Sequence, residues 1–272
     1  MSDVTGPGPR TKRIRYGWLI ELGVGIAIYF LYDTLRDHAM GNSAAAMRHA
    51  KQVVDIERFF GLYQEHRIQH AFLRWHPFMS FWNIYYGTIH FVMPVIALVA
   101  MYRKTPARYV RWRNALLFML AFGLIGFWLY PLTPPRLMPP RYDFVDAAAK
   151  FFNFGPQQRI TLNAAGQPSA AARASFGNLY AAMPSLHVGW STWSALALIP
   201  VVRRRRLKVL IGLYPFATIF AIVVTGNHWI LDAIGGWVVL AAGYGAARLL
   251  ERVTASGRPA NQTHELLGNH EE

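Results

Sequence analysis

Residues 207–249 read LKVLIGLYPFATIFAIVVTGNHWILDAIGGWVVLAAGYGAARL. Two apolar runs, each close to the roughly 20 residues with which a helix crosses the hydrocarbon of a bilayer, are joined by the turn residues Gly226 and Asn227. So short a connection makes the two expected helices antiparallel neighbours. His228 and Asp232 stand where the second run begins, a costly place for ionisable groups and therefore one where function is expected of them. Further along, Ala241, Ala242 and Gly243 are followed four residues on by Gly245, Ala246 and Ala247, small residues that suit close helix packing in lipid.

Similar apolar runs occur at 16–32, 78–102, 115–130 and 184–202, which together with 207–225 and 229–249 make six spans. Over 272 residues the chain is 53% hydrophobic and 15% charged, more apolar than a soluble domain. The fold class expected is all-α: a polytopic membrane bundle of six transmembrane helices. Cysteine is absent, which removes disulfides, thiolate nucleophiles and thiolate metal sites. The formal net charge of +14 lies in short Lys/Arg clusters between apolar runs rather than along one amphipathic face. It therefore reads as topology signals and contacts to lipid headgroups, not as a nucleic-acid surface.

Arg10, Lys12, Arg13 and Arg15, then the clusters at 103–113 and 203–208, then Arg248, Arg252 and Arg258 alternate as they should if both termini are cytoplasmic. The division that follows is a cytoplasmic tail at 1–15, one membrane catalytic domain at 16–253 and a polar tail at 254–272. A basic cluster before an apolar run imitates a signal peptide. The small residues at 43–46 lie beyond charged Arg36 and Asp37, however, so the first helix is read as retained.

Three connections then face outward. The first, 36–77, has an amphipathic pattern through Met47, Ala50, Val54, Phe60 and Tyr63 and is expected along the outer interface. The second, 131–183, is a Pro-, Ala- and Gly-rich loop of a length usually associated with function. The third is the Gly226–Asn227 turn. Trp18, Trp75, Trp112 and Trp229 stand near span ends and read as interface belts. Glu21 and Asp33 in the first span are expected to pair or snorkel. His38, His49, His66, His70 and His76 match no familiar ligand spacing and read as a solvated or interfacial surface.

The chemistry concentrates on one side. His187, in Met183-Pro184-Ser185-Leu186-His187, begins the fourth span, while His228 and Asp232 begin the sixth. Four residues apart on a helix, His228 and Asp232 share a face. The carboxylate can accept a hydrogen bond from one imidazole nitrogen and leave the other to attack, with histidine itself as nucleophile. His187, across a bound phosphate, can protonate the departing oxygen and then deprotonate the acceptor. With Pro184 as a first helical residue, the free N–H groups after it and the Ser185 hydroxyl can hold an anion. Arg136, just past the third span, can bind phosphate oxygens in pairs, with Arg141 a weaker substitute. A transporter or channel using the His/Asp cluster as a proton or ion relay is the rival reading. A relay belongs at mid-membrane, whereas these residues lie at outer helix ends beside a long loop.

Met183-Pro184-Ser185-Leu186-His187 resembles the second motif of the type 2 phosphatidic acid phosphatase superfamily, and His228 with Asp232 resembles the end of its third. The six-helix order is similar, and the resemblance runs from about 78 to 249. Pro-Ser-Leu-His with a His-aromatic-x-x-Asp third motif is similar to the branch of inositol phosphorylceramide synthases and their bacterial relatives. The resemblance implies a phosphohistidine on His228, orientation by Asp232, proton transfer by His187, and neither metal nor cofactor. It implies an amphiphilic lipid phosphate as substrate, water or an alcohol as acceptor, and a cell-membrane enzyme with its active site on the extracytoplasmic face. Leu129 and Leu137 stand where the phosphatase branch has a first-motif Lys and Pro, and Ala221 and Ile222 where it has Ser-Arg. Fewer or different cations must then hold the phosphate, which favours the synthase-like branch, and the Leu186 form of the motif tilts the reading towards transfer over hydrolysis.

Overall fold

The computed structural model describes residues 17–38, 42–147 and 178–256. The expected tail at 1–15, residues 148–177 of the outer loop, and the polar tail from 257 lie outside the described residues. Among the described residues the chain forms eight α-helices: α1 (Gly17–His38), α2 (Ser43–Phe59), α3 (Glu65–Phe72), α4 (His76–Lys104), α5 (Pro106–Leu129), α6 (Leu186–Leu198), α7 (Arg205–Val224) and α8 (Ile230–Ser256). Two single 3-10 turns, Pro135–Leu137 and Pro140–Tyr142, follow α5.

Four helices, α4, α5, α7 and α8, are long and apolar enough to cross a membrane. Their outward faces are apolar too: Ile84, Val92 and Val95 on α4, Leu210 and Phe216 on α7, and Val238 on α8 are all exposed. An apolar exterior of that extent belongs to a protein solvated by lipid. The expected fourth span is shorter than its apolar run. Helix α6 has 13 residues, about 20 Å at 1.5 Å per residue, against a hydrocarbon core of about 30 Å. Pro184 is not its first residue as expected. Ser185 remains extended, and its N–H donates to Asp232 O at 2.9 Å, so the helix begins only at Leu186.

Close packing fixes that start. A side chain on Gly236 of α8 would run into Ser185 O, and one on Gly243 would place Cβ 2.7 Å from Ala115 O of α5. Helix α8 therefore lies backbone-close on both α5 and the entry to α6; of the small residues at 241–247, Gly243 serves the first of these crossings and Ala247 is buried, while Ala241, Ala242 and Gly245 are exposed. Although the turn at Gly226 joins α7 to α8, α8 packs chiefly on α5 and α6. The two are not the tightly paired neighbours the short turn suggests, because residues 183–189 are wedged against α8. Gly226 itself has φ +71° with Gln69 against it, a left-handed position that suits glycine.

The two ends of the bundle differ. At one, Arg113 pairs with Glu21 at 2.6 Å, Tyr109 donates to the same carboxylate at 2.8 Å, and Arg111 pairs with Glu251 at 2.7 Å. The basic clusters starting α5 and ending α8 thus share one end. At the other, α2 and α3 cover the starts of α6 and α8. Asn42 caps α2 by accepting from Ala44 N at 2.7 Å, and the face that packs inward is Ala46, Ala50, Val53, Val54 and Glu57. Ala50 and Val54, expected along the outer interface, pack into the protein instead, whereas Phe59 and Phe60 are 83% and 67% exposed and Glu57 is fully buried. Two tryptophans read as interface belts are also core. Trp229 is fully buried and donates to Thr133 O at 3.0 Å, and Trp112 is 7% exposed with its carbonyl accepting from Trp193. Trp75 is exposed, and the side chain of Trp18 lies outside the described residues.

Candidate active site

The covered end contains a cavity of about 170 Å³ whose lining includes His187 from α6, His228 from the α7–α8 turn, Arg136 from the first 3-10 turn and Arg36 from α1. Backbone bonds bring these segments together. Leu132 N donates to Tyr180 O at 2.8 Å, Thr133 N to Ala46 O at 3.2 Å, and Arg136 N to Gly226 O at 2.8 Å. The two ends of the outer loop are thereby tied to each other and to the turn that carries His228.

His228 Nδ1 lies 2.9 Å from Ala182 O and 3.2 Å from Asp232 Oδ2. Neither oxygen can donate, so Nδ1 carries the hydrogen and Nε2 is left with its lone pair. Asp232 Oδ2 also accepts from Trp229 N at 3.0 Å, which fixes the carboxylate at the start of α8, a favourable place for negative charge. Both residues are buried, His228 at 3% exposure and Asp232 fully.

His187 reaches the same cavity one ring away. Its centroid is 5.2 Å from that of His228, 4.3 Å from Tyr86, on which it stacks, and 4.3 Å from His90. The two histidine rings are in contact, which leaves no room for a phosphate between them. An anion bound here has to sit on the cavity side of both. Arg136 is 12% exposed and pairs with Asp146 at 3.2 Å.

The other expected anion contacts are placed elsewhere. Ser185 is fully buried and does not line the cavity, and Arg141 lies beside Tyr142, its guanidinium 5.2 Å from the ring centroid. Of the outer-segment histidines, His38 bonds Thr34 O at 2.7 Å, His49 bonds Pro131 O at 2.8 Å, His70 bonds Asp143 O at 2.7 Å, and His66 packs on Tyr63 at 5.1 Å. Among the described residues no three His, Asp or Glu side chains converge as a metal site.

Several lining residues escaped the sequence reading. Tyr29, Tyr32 and Arg36 share one face of α1, and Tyr86 and His90 share one face of α4. His90 was open to discovery by the same rule that singled out His187, since it is an ionisable residue inside an apolar span. Arg36 carried no such signal. It sits near a helix end beside Asp33, with which it pairs at 2.7 Å, a setting typical of a surface contact.

The PAP2 superfamily matches residues 51–246, and the chain belongs to that superfamily. Membership points to phosphatase or phosphotransferase activity on lipid phosphates in a membrane. No curated protein and no solved structure matches the chain. Helix α1, with Tyr29, Tyr32 and Arg36, lies before the matched residues.

Proposed function

We propose that the chain is a six-span membrane enzyme with cytoplasmic termini. It transfers the phosphoryl-containing group of an amphiphilic lipid phosphate, through a phosphohistidine on His228, to an alcohol in preference to water. The observation that carries this reading is the double hydrogen bond of His228 Nδ1 to Ala182 O and Asp232 Oδ2, which leaves Nε2 as a nucleophile beside a second histidine. In the first step Nε2 attacks phosphorus, the P–N bond forms and the P–O bond to the leaving group breaks, while protonated His187 gives its proton to the departing oxygen. In the second, His187 takes the proton of the acceptor, whose oxygen attacks phosphorus and breaks the P–N bond. Arg136 and Arg36, both on the cavity wall, bind the non-bridging oxygens, with Arg36 offsetting the cations that the sequence lacks in its first and third motifs.

Six spans require α1 and the short α6 to complete the bundle, with the basic end cytoplasmic by the inside-positive rule and the cavity extracytoplasmic. Transfer is favoured by Leu186, the residue in which the motif departs from the phosphatase form. Leu186 is buried and lines the cavity, and it fills the notch at Gly123, where a Cβ would come within 2.8 Å.

The test is to incubate the purified protein, in chelator, with lipid phosphates and phosphoinositides radiolabelled at phosphorus, quench rapidly and follow label in protein, free phosphate and acceptor. An alkali-stable, acid-labile phosphoprotein that forms and decays at the turnover rate is expected. Turnover without labelled protein would sink the covalent mechanism, and the partition of label decides transfer against hydrolysis.

Asp232→Asn is expected to lower kcat about 100- to 1,000-fold, the scale for losing one preorganised electrostatic contact, with little change in KM. Ala182 O still holds the Nδ1 tautomer in this variant, and Trp229 N still selects the oxygen side of the new amide. The loss should therefore stop short of the roughly 10⁴-fold seen where a substituted aspartate inverts its histidine. A loss of that larger size, read from steady-state kinetics, would mean that Ala182 does not fix the ring.

A further inference from the structure

The first N–H groups of a helix have no partner within it, and at α8 three in succession are taken by carboxyl groups from three elements. Trp229 N donates to Asp232 Oδ2 at 3.0 Å, Ile230 N to Glu65 Oε1 of α3 at 3.0 Å, and Leu231 N to Glu57 Oε1 of α2 at 2.7 Å. These are the residues immediately after His228. Glu57 and Glu65 are both fully buried, an expensive state for carboxyl groups unless each is hydrogen-bonded and their joint charge is reduced.

Their remaining oxygens show how this is met. Glu57 Oε2 and Glu65 Oε2 are buried without a hydrogen-bond partner, while the other oxygen of each group accepts from one of two adjacent backbone N–H groups, Leu231 N and Ile230 N, which sets the two carboxyl groups side by side. Carboxyl groups so placed need a hydrogen on one of them, since two carboxylates in contact cannot both stay ionised in a buried site.

We propose that Glu57 and Glu65 are a proton-sharing carboxyl pair that positions the nucleophile: from α2 and α3 they clamp the start of α8 and so hold His228 in register with Ala182 and Asp232. The proposal rests on His228 being that nucleophile. Neither glutamate lines the cavity, so both are positioning residues. This gives the outer segment a task, because its two helices each deliver one carboxyl group to the catalytic turn.

The charged and titratable groups facing the pair add to its need for a proton. Asp232 on α8 opposes ionisation of Glu57. Tyr63 faces Glu65 with the Arg58 guanidinium 4.9 Å from its ring centroid, and His66 packs on the same ring. Burial first, then the adjoining Glu65 carboxyl and its charge, push the Glu57 carboxyl from 4.5 up to about 10. An unfolded chain releases this proton as pH passes the lower value, whereas the folded chain keeps it to the upper one. Stability is therefore greatest below the lower value and declines as pH rises between the two.

Wild type, Glu57→Gln and Glu57→Leu, purified in detergent, are to be melted from about pH 5 to about pH 9, inside that window, and assayed on lipid phosphates. Glutamine keeps an acceptor for Leu231 N and a donor for Glu65, which reproduces the hydrogen bonds of the protonated pair without the shared proton. Its melting temperature should lose most of the downward slope that wild type shows with rising pH, and its kcat should stay within about threefold of wild type. Leucine fills the space but abandons both bonds, so kcat should fall about 100-fold for a displaced nucleophile while KM moves less than about threefold. A glutamine variant with the wild-type slope would overturn the shared proton, and a leucine variant with wild-type kcat would overturn the positioning. Should wild type turn over no lipid phosphate, the catalytic reading fails separately, and the melting profiles still decide the pair.

Discussion

Replacing His228 by alanine is expected to reduce turnover of a lipid phosphate by about 10⁶-fold, the scale on which loss of a nucleophile removes covalent catalysis and leaves binding alone. Labelled phosphoprotein should disappear with it. Loss of activity by itself is ambiguous here, because the ring is 3% exposed and bonded to both Ala182 O and Asp232 Oδ2, so alanine also leaves a buried carboxylate one partner short. His228→Asn removes that ambiguity. The asparagine amide can donate towards Ala182 O much as Nδ1–H does, but it has no basic nitrogen in the place of Nε2. If the site works as proposed, His228→Asn is as inactive as alanine while its melting temperature stays nearer wild type. If asparagine supports measurable turnover with labelled protein, the phosphoryl group is carried elsewhere.

The apolar helices and the pairing of His228 with Asp232 were legible because each rests on a local pattern. Apolar length marks α4, α5, α7 and α8, and a spacing of four residues puts His228 and Asp232 on one helical face. What failed to read through depends on contacts far apart in sequence. An apolar count over 184–202 cannot show that Gly236 presses on Ser185 O and delays the start of α6. The amphipathic pattern of the outer segment put Phe60 on one face with Ala50 and Val54 because it counted hydrophobicity, whereas α2 is rotated to bury Glu57 against Leu231 N, 174 residues away. Trp229 beside a span end looks like an interface anchor until Thr133 O is seen to accept its indole hydrogen from 96 residues away. In each case a polar group of one segment satisfies the backbone of another, and single-segment periodicity carries no trace of that exchange. The same reasoning explains the site. The histidines are visible in sequence, but Arg36, Tyr86 and His90 join them only because α1 and α4 flank one cavity.

For His187→Ala the expected effect depends on the substrate. With an alkyl lipid phosphate the departing alkoxide is strongly basic and must be protonated as it leaves, so the loss should lie near 10³- to 10⁴-fold, towards the upper part of the range for general acid–base catalysis. An aryl phosphate departs as a weakly basic phenolate that needs no proton, so attack by His228 Nε2 should survive the substitution. Release of the acceptor's proton in the second step would still lack its base. The variant should then give a rapid burst of one phenolate per active site followed by slow turnover, with labelled protein accumulating at His228. Packing favours a clean experiment. His187 is held by ring contacts with Tyr86 and His90 at the edge of the cavity, where truncation opens space towards the existing cavity and leaves the Nδ1 bonds of His228 in place. A burst without subsequent accumulation would give the base role to another group, and His90, 4.3 Å from the His187 ring, is the residue to replace next. Equal losses on alkyl and aryl substrates with no burst would remove His187 from proton transfer and leave it only a part in shaping the wall against which His228 is set.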